Sequence, residues 1–421
     1  MKFTTILKFL TSLPLAISIL IIFSSNLYAI ENPLSSANNP FGIHILNENE
    51  LDDAAKLVNS SGGDWGYVTL VIRKDERDSE RWQQVFDKMR KLHLIPIARL
   101  ATIQQNGGWE KPNVDEIDGW VSFLNSLIWV VKNRYIIIGN EPNHAKEWGG
   151  ELNPEEYSDY LYSFSKKLNE TSNDFFILSA GFDASAANTN ETMSAENYIK
   201  NMITYKPESF EFIDGWNSHS YPNPNFSGSE DSYGRGSVRT FEWELNLLKS
   251  FGINKNLPVF ITETGWSHNM DGTSKNSKLI TQNDISERIR NAYSGAWQDP
   301  RIVTVTPFVL NYQEPPFDIF SWKKKDGNFY SFYYEIQDIP KIPGKPLQSE
   351  SAQVVAVIFP PIFKNKEKPL GVAYVKNTGQ TIWNGDEKIQ VGNGVKFEIE
   401  PKVISDVAPG ESTIALFRLI L

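Results

Sequence analysis

From residue 41 onward, short runs rich in β-branched and aromatic residues alternate with longer segments in which apolar positions recur every three or four residues. The first pattern suits strands buried on both faces, the second helices that cover them with one apolar face, and together they predict an alternating α/β fold with a parallel sheet. Eight strand-like runs follow one another: FGIHI from Phe41, YVTLVI from Tyr67, LIPIARL from Leu94, YIIIGN from Tyr135, FFILSAG from Phe175, FIDGWNSHSY from Phe212, PVFITE from Pro258 and VTVTPFVL from Val303. Helical patterns lie between them, among them SERWQQVFDKMRKLH from Ser79, NPEEYSDYLYSFSKKL from Asn153, and residues 238–251 and 283–297. Asn153 is placed to cap its helix, with Pro154 in the first turn. Eight such units predict a (β/α)8 TIM barrel somewhat above its typical size of about 250 residues. An open doubly wound sheet is the rival architecture, but its usual glycine-rich first turn is missing from residues 45–50.

After Tyr330 the texture changes. A linker rich in proline, glycine and lysine is expected at residues 338–350, and beyond it AQVVAVIF, PLGVAYVKN, VKFEIEP and STIALFRLIL alternate with turn clusters, the pattern of a small all-β sandwich. At the other end, Lys2 and Lys8 precede an apolar run at residues 9–23, with a cleavage site expected after Ala29. This reads as an export signal, with an uncleaved membrane anchor as the alternative, and predicts a secreted or cell-surface protein. The expected organisation is therefore residues 1–29 as signal or anchor, 36–338 as a catalytic (β/α)8 domain and 350–421 as an all-β accessory domain. The chain has no cysteine, so no disulfide framework supports it.

Of the 421 residues 13% are aromatic, with 12 tryptophans; core packing accounts for most, and the surplus is suited to stacking on sugar faces. A formal charge of −10 leaves no excess of Lys and Arg to neutralise phosphates, so nucleic acid is excluded as a partner. No HExxH, paired-cysteine or EF-hand spacing occurs, and Gly-x-Ser-x-Gly, Walker and dinucleotide fingerprints are absent too; neither a metal nor a cofactor is expected.

The strings carrying chemistry are IIIGNEPN at residues 136–143 and VFITETGW at residues 259–266, each setting a glutamate at the end of a predicted strand. Glu141 and Glu263 then fall on strands four and seven, at the barrel face where functional residues gather. Two carboxyls in different surroundings, one protonated and one ionised, are what cleavage of a glycosidic bond requires. Asn140 is suited to hydrogen-bonding a sugar hydroxyl beside the reacting carbon. Tyr221, after strand six with His219, is placed to orient Glu263. His44 ends strand one, and Trp148, Trp266 and Trp322 offer rings for stacking. Asp183, Asn223 and Glu314 are assigned to the rim, Glu147 and Glu151 to solvated loop charges, and residues 223–241 to a loop that shapes specificity.

Asn140-Glu141 after strand four, His219-Ser220-Tyr221 after strand six and Glu263 after strand seven resemble the signature of glycoside hydrolase clan A, the (β/α)8 retaining glycosidases. The resemblance implies Glu141 as acid/base, Glu263 as nucleophile, and Asn140, His219, Tyr221, His44, Arg99, Trp266 and Trp322 as substrate-binding residues. Where some clan families carry a histidine after strand three, this chain has Arg99 within the strand. Where they carry a tryptophan directly after strand eight, it runs into Pro307-Phe308, and Trp322 is the substitute from the next loop. TETGW is also similar to strings of clan families acting on β-1,3-glucans and β-1,4-galactans. At the C-terminus VKNTGQTIWN and VAPGES resemble Ig-like modules with an N-x-G-x-x-x-W pattern. The function expected is hydrolysis of a β-linked oligo- or polysaccharide with retention, without a cofactor, and with transglycosylation as a close variant. A non-catalytic surface protein binding glycan in the same cleft is the alternative. A third reading has the C-terminal domain dock the protein to a cell wall or partner. The sequence assigns no oligomeric state.

Overall fold

The computed structural model describes residues 30–268, 280–358, 370–384, 396–399 and 406–420. The segment read as an export signal, residues 1–29, lies outside them. Among the described residues no helix is long and apolar enough to cross a membrane. The chain divides into two units, Leu27–Leu347 and one containing Gln348–Leu421.

The first unit alternates eight strands and eight main helices. In chain order these are β1 (Gly42–His44), α1 (Leu51–Val58), β2 (Gly66–Arg73), α2 (Ser79–Lys91), β3 (Leu94–Ala101), α3 (Ile117–Ser126), β4 (Arg134–Ile138), α4 (Pro154–Thr171), β5 (Phe175–Ser179), α5 (Ala195–Tyr205), β6 (Trp216–His219), α6 (Thr240–Ser250), β7 (Val259–Glu263), α7 (Gln282–Ser294), β8 (Ile302–Val305) and α8 (Ser331–Gln337). Strands β1 to β5 pair in parallel in sequence order, as do β6 to β8. Parallel bridges Leu178↔Gly215 and Phe41↔Val305 join the two sheets, so the strands close into the expected (β/α)8 barrel.

Local signals agree with this architecture. Asn153 accepts the Glu156 amide at 3.1 Å at the start of α4, and Asp78 accepts the Glu80 and Arg81 amides at the start of α2. On α2 the residues Trp82, Val85, Phe86 and Met89 are buried, the spacing of one helical face against the sheet. Two strands, β6 and β8, are no more than half as long as their apolar runs. Ahead of β6, Asp214 turns its carboxylate back to the Ile177 amide at 2.9 Å, and after β8 Pro307 has no amide to continue a ladder.

The barrel interior is filled, not hollow. Tyr135 of β4 and Phe260 of β7 come from strands that are not neighbours, yet their rings are 5.3 Å apart, and Phe176 lies 5.0 and 5.5 Å from them. Higher in the barrel Thr69 and Thr306 share a hydrogen bond of 2.8 Å between hydroxyls. Gly42 leaves room for that layer, since a β-carbon there would stand 2.5 Å from the Thr306 methyl.

The predicted linker is partly strapped to the barrel. Lys345 N donates to Ala37 O and Gly344 N to Asp64 O, each at 2.8 Å, and Lys132 N donates to Leu347 O at 2.8 Å. The Lys341 ammonium donates to the carbonyls of Ile336, Gln337 and Ile339, which closes the end of α8. Chain beyond Leu347 belongs to the second unit.

That unit has an antiparallel sheet of β9 (Ala352–Ile358), β10 (Leu370–Asn377), β11 (Lys396–Ile399) and β12 (Ser412–Ile420), in the order β9-β10-β12-β11. The N-x-G-x-x-x-W string forms a cross-tied corner. Asn377 Nδ2 donates to Thr381 O and Val407 O at 2.8 and 3.0 Å, and Trp383 pairs with Val407. The all-β character holds, and the strands of this unit among the described residues form one sheet; the second layer of the expected sandwich is not among them.

Replacing Phe260 by alanine removes the ring at the centre of the interior triad and should lower stability by about 3–5 kcal/mol. Urea unfolding monitored by barrel tryptophan fluorescence checks this, and a loss below about 1 kcal/mol would contradict the packing described.

Candidate active site

The C-terminal ends of the strands open into a cleft of about 480 Å³. Glu141 and Glu263 both face it, as the sequence predicts. Beyond β4 the chain passes through Gly139 at φ 88° and Glu141 at φ 30°, a left-handed conformation unusual for a residue with a side chain. Hydrogen bonds hold that turn: Glu141 N donates to Gly181 O at 3.0 Å, and His144 N to Glu141 O at 2.8 Å. Glu263 is the last residue of β7, level with His219 of β6 in the parallel register.

His219 stands between the two carboxyls. Its Nδ1 lies 2.9 Å from Glu141 Oε1 and 3.8 Å from Glu263 Oε2, and Tyr221 donates its hydroxyl to Glu263 Oε2 at 3.2 Å. The ligand-bearing atoms of Glu141, His219 and Glu263 are all within 4.8 Å of one another. A cation would accept that spacing. However, the imidazole and the Tyr221 hydroxyl already engage the carboxylate oxygens, so these donors first serve one another.

Burial would raise the Glu263 carboxyl, but the charge of His219, with Arg99 and the Tyr221 hydroxyl, outweighs it and holds Glu263 below the ordinary carboxylate range. Burial likewise works against a charged His219, yet Glu263 and Glu141 together push its pKa up to about 9. At neutral pH His219 is therefore an imidazolium between the acids. The Tyr221 phenol, pushed well above its usual value by burial and by both glutamates, stays a donor. His44 is lowered to about 4 by burial; it packs as a neutral ring edge-on to Phe308 at 5.2 Å.

Other expected residues divide. Asn140 lines the cleft, gives one N–H to Glu147 at 3.2 Å, and has a buried Oδ1 with no hydrogen-bond partner. Arg99 also lines the cleft, 8% exposed, with its Nε unpartnered. Trp266 and Trp322 are not brought to the cleft. Trp266 is buried and donates its indole N–H to Gly228 O at 2.7 Å, and Trp322 is buried edge-on to Phe332 at 5.2 Å. Each indole anchors a loop from behind and offers no face to a ligand. Trp148 is likewise buried, bonded to Glu156 at 3.0 Å. On the rim, Asp183 is hydrogen-bonded to His144 Nε2 at 2.8 Å and Asn223 bonds Ser185 at 2.9 Å, while exposed Glu314 lies outside the cleft lining.

Sequence reasoning missed several lining residues. Glu147 is no solvated charge: burial, then the charge of Glu141, raise its carboxyl, and it fixes Asn140. Glu151 does match the solvated reading, paired with Lys111 at 2.7 Å on the surface. Trp109 reaches the cleft from a small hairpin after β3 in which Gln104 pairs with Trp109; the turn residues Asn106-Gly107 were the available signal. The aromatic side consists of Phe226, Phe308, Tyr312, Phe317 and Phe320. Phe308 is the aromatic directly after β8.

No protein-family profile and no curated protein sequence matches the chain. Solved structures do resemble it. A glucosidase from Croceicoccus marinus is 9% identical over 81% of this chain and 76% of its own, with a TM-score of 0.53. A monomeric beta-xylosidase from Caulobacter crescentus CB15 is 13% identical, covering 84% of this chain and 77% of its own, at a TM-score of 0.49. A family 39 glycoside hydrolase from Bacteroides cellulosilyticus WH2 is 12% identical, covering 92% and 81%, at 0.48. At 9% identity the likeness to the glucosidase is one of fold alone.

Removing the Tyr221 hydroxyl (Tyr221→Phe) takes a donor from ionised Glu263, so the acid limb of any kcat/KM profile should rise by roughly one to two pH units. An unmoved limb would show that Tyr221 does not keep Glu263 ionised. Because the His219 pKa is raised in the fold, its stabilising contribution is complete below the ordinary histidine range and lost as pH climbs through about 9. Thermal midpoints should therefore fall over that window more in the natural protein than in His219→Gln; equal falls would contradict a charged His219.

Proposed function

We propose that the protein is a retaining glycoside hydrolase that cleaves a β-linked oligo- or polysaccharide, with Glu141 as acid/base and Glu263 as nucleophile. The observation that carries this reading is the approach of the two carboxyls, with oxygens within 4.8 Å, at the functional face of the barrel. Retaining glycosidases hold their carboxyls about 5–5.5 Å apart, whereas inverting ones need about 6.5–9.5 Å to admit a water. The roles follow from the surroundings. Glu263 is kept ionised by His219, Arg99 and Tyr221, as a nucleophile requires. Glu141 has His219 as its side-chain partner and sits at the more open position, 19% exposed against 11% for Glu263.

In the first step an oxygen of Glu263 forms a bond to the anomeric carbon while the bond to the leaving oxygen breaks, and Glu141 delivers its proton to that oxygen. In the second, water attacks the glycosyl ester, Glu141 takes the proton released, and the Glu263 carboxylate is freed. Asn140, with its unpartnered Oδ1, is positioned to accept a sugar hydroxyl. The solved glucosidase with the same barrel accords with this reading. Export and an attachment role for the C-terminal unit belong to the same proposal and derive from the sequence.

Purified protein should release product from at least one member of a panel of β-glucans, mannans, xylans and galactans. Glu263→Gln and Glu141→Gln should each lose at least about 10²–10³-fold in kcat. Proton NMR of the first product formed should show the β-anomer. An initial α-anomer would overturn retention, and glycan binding without turnover by the natural protein would favour the binding-only alternative.

A further inference from the structure

The loop between β6 and α6 has two consecutive non-glycine residues in the left-handed region, Asn225 at φ 56° and Phe226 at φ 55°. Asparagine tolerates that conformation, but for a bulky aromatic it is an outlier, and glycine would relieve it. The surrounding residues hold the strained pair in place. Ser267 donates its amide to Phe226 O at 3.1 Å and its hydroxyl to Asn225 O at 3.2 Å; Trp266 bonds Gly228 O at 2.7 Å and Arg288 bonds Ser227 O at 2.9 Å. These tethers come from the segment after β7 and from α7, so the loop is a braced wall. The buried Trp266 has its purpose here.

The bracing presents one ring. Phe226 is half-buried on the cleft wall, 5.1 Å from Tyr221 and 5.0 Å from Phe320, each roughly edge to face. Tyr221 is the residue that bonds Glu263, so the Phe226 ring lies one side chain from the nucleophile. Polar groups flank it: Asn223 bonds Ser185, and both line the cleft. An apolar ring bordered by hydroxyl and amide groups matches a pyranose with equatorial substituents, whose axial C–H bonds form an apolar face inside a polar edge.

We propose that Phe226 is an aromatic platform for the sugar unit next to the one held over Glu263, so that the cleft selects oligosaccharides over single-sugar glycosides. This rests on the glycosidase reading and adds a subsite to it. The strain at Phe226 is then part of the binding site, a side chain forced to stand where a sugar must stack.

The experiment compares the full-length natural protein with Phe226→Ala and Phe226→Trp, using β-gluco-oligosaccharides and β-xylo-oligosaccharides of two to six units and the β-glycosyl fluorides of single sugars, whose leaving group is too small to meet the ring. The alanine variant should raise KM for the longer substrates by roughly three- to tenfold at unchanged kcat, change the glycosyl fluorides by less than about twofold, and be rescued by tryptophan. A uniform fall in kcat with a shifted acid limb would instead make Phe226 a support for Tyr221, and unchanged kinetics at every length would remove it from substrate binding; either result overturns the platform. If the natural protein turns nothing over, calorimetric titration of the same oligosaccharides decides. Affinity lost in Phe226→Ala keeps the platform while the glycosidase reading falls, and affinity that is unchanged or absent overturns it.

Discussion

His219 Nδ1 lies 2.9 Å from one glutamate and 3.8 Å from another, so a single buried imidazole faces both carboxyls at the mouth of the barrel. Two carboxylates this close repel, and the ordinary outcome is that one takes up a proton. A cation between them offsets that repulsion. Glu263 gains a further donor from Tyr221 and the field of Arg99, which with His219 hold it below the ordinary carboxylate range. The surroundings of each carboxyl are thus supplied by side chains from three separate strand ends.

That arrangement depends on closure. Glu141 follows β4, His219 ends β6 and Glu263 ends β7, and the interior triad of Tyr135, Phe176 and Phe260 spans β4, β5 and β7 beneath them. A slip of one residue in any of these strands would turn its terminal side chain to the opposite face. The filled interior opposes such a slip, because the same strands would have to withdraw their rings from a packed contact. The packed interior and the geometry at the strand ends therefore both depend on β4 and β7 keeping register.

Among the described residues, two non-glycine residues lining the cleft adopt left-handed backbone, Glu141 and Phe226. Each is held by hydrogen bonds from neighbouring segments, Gly181 for the first and Ser267 for the second. Strain of this kind persists only where surrounding structure over-determines it, and at both places it turns a side chain toward the cleft.

The eight strand–helix units, the helix caps and the two glutamates were legible in the chain itself, because burial on both strand faces and a helical apolar stripe are local patterns that residue order records. His219 and Tyr221 could also be read, since strand ends show where side chains emerge. Which aromatic residues meet the cleft could not. Trp266 and Trp322 follow strands as Phe308 does, yet their indoles turn back into loop packing while Phe308 faces the opening. Glu147 looked like a solvated loop charge and Trp109 carried no mark beyond a turn, because their surroundings come from elements remote in sequence. Direction of a loop side chain, the field at a carboxyl and the strain at Phe226 arise from contacts between segments tens of residues apart. Residue order sets which groups exist and on which strand, and only the closed barrel decides which of them meet.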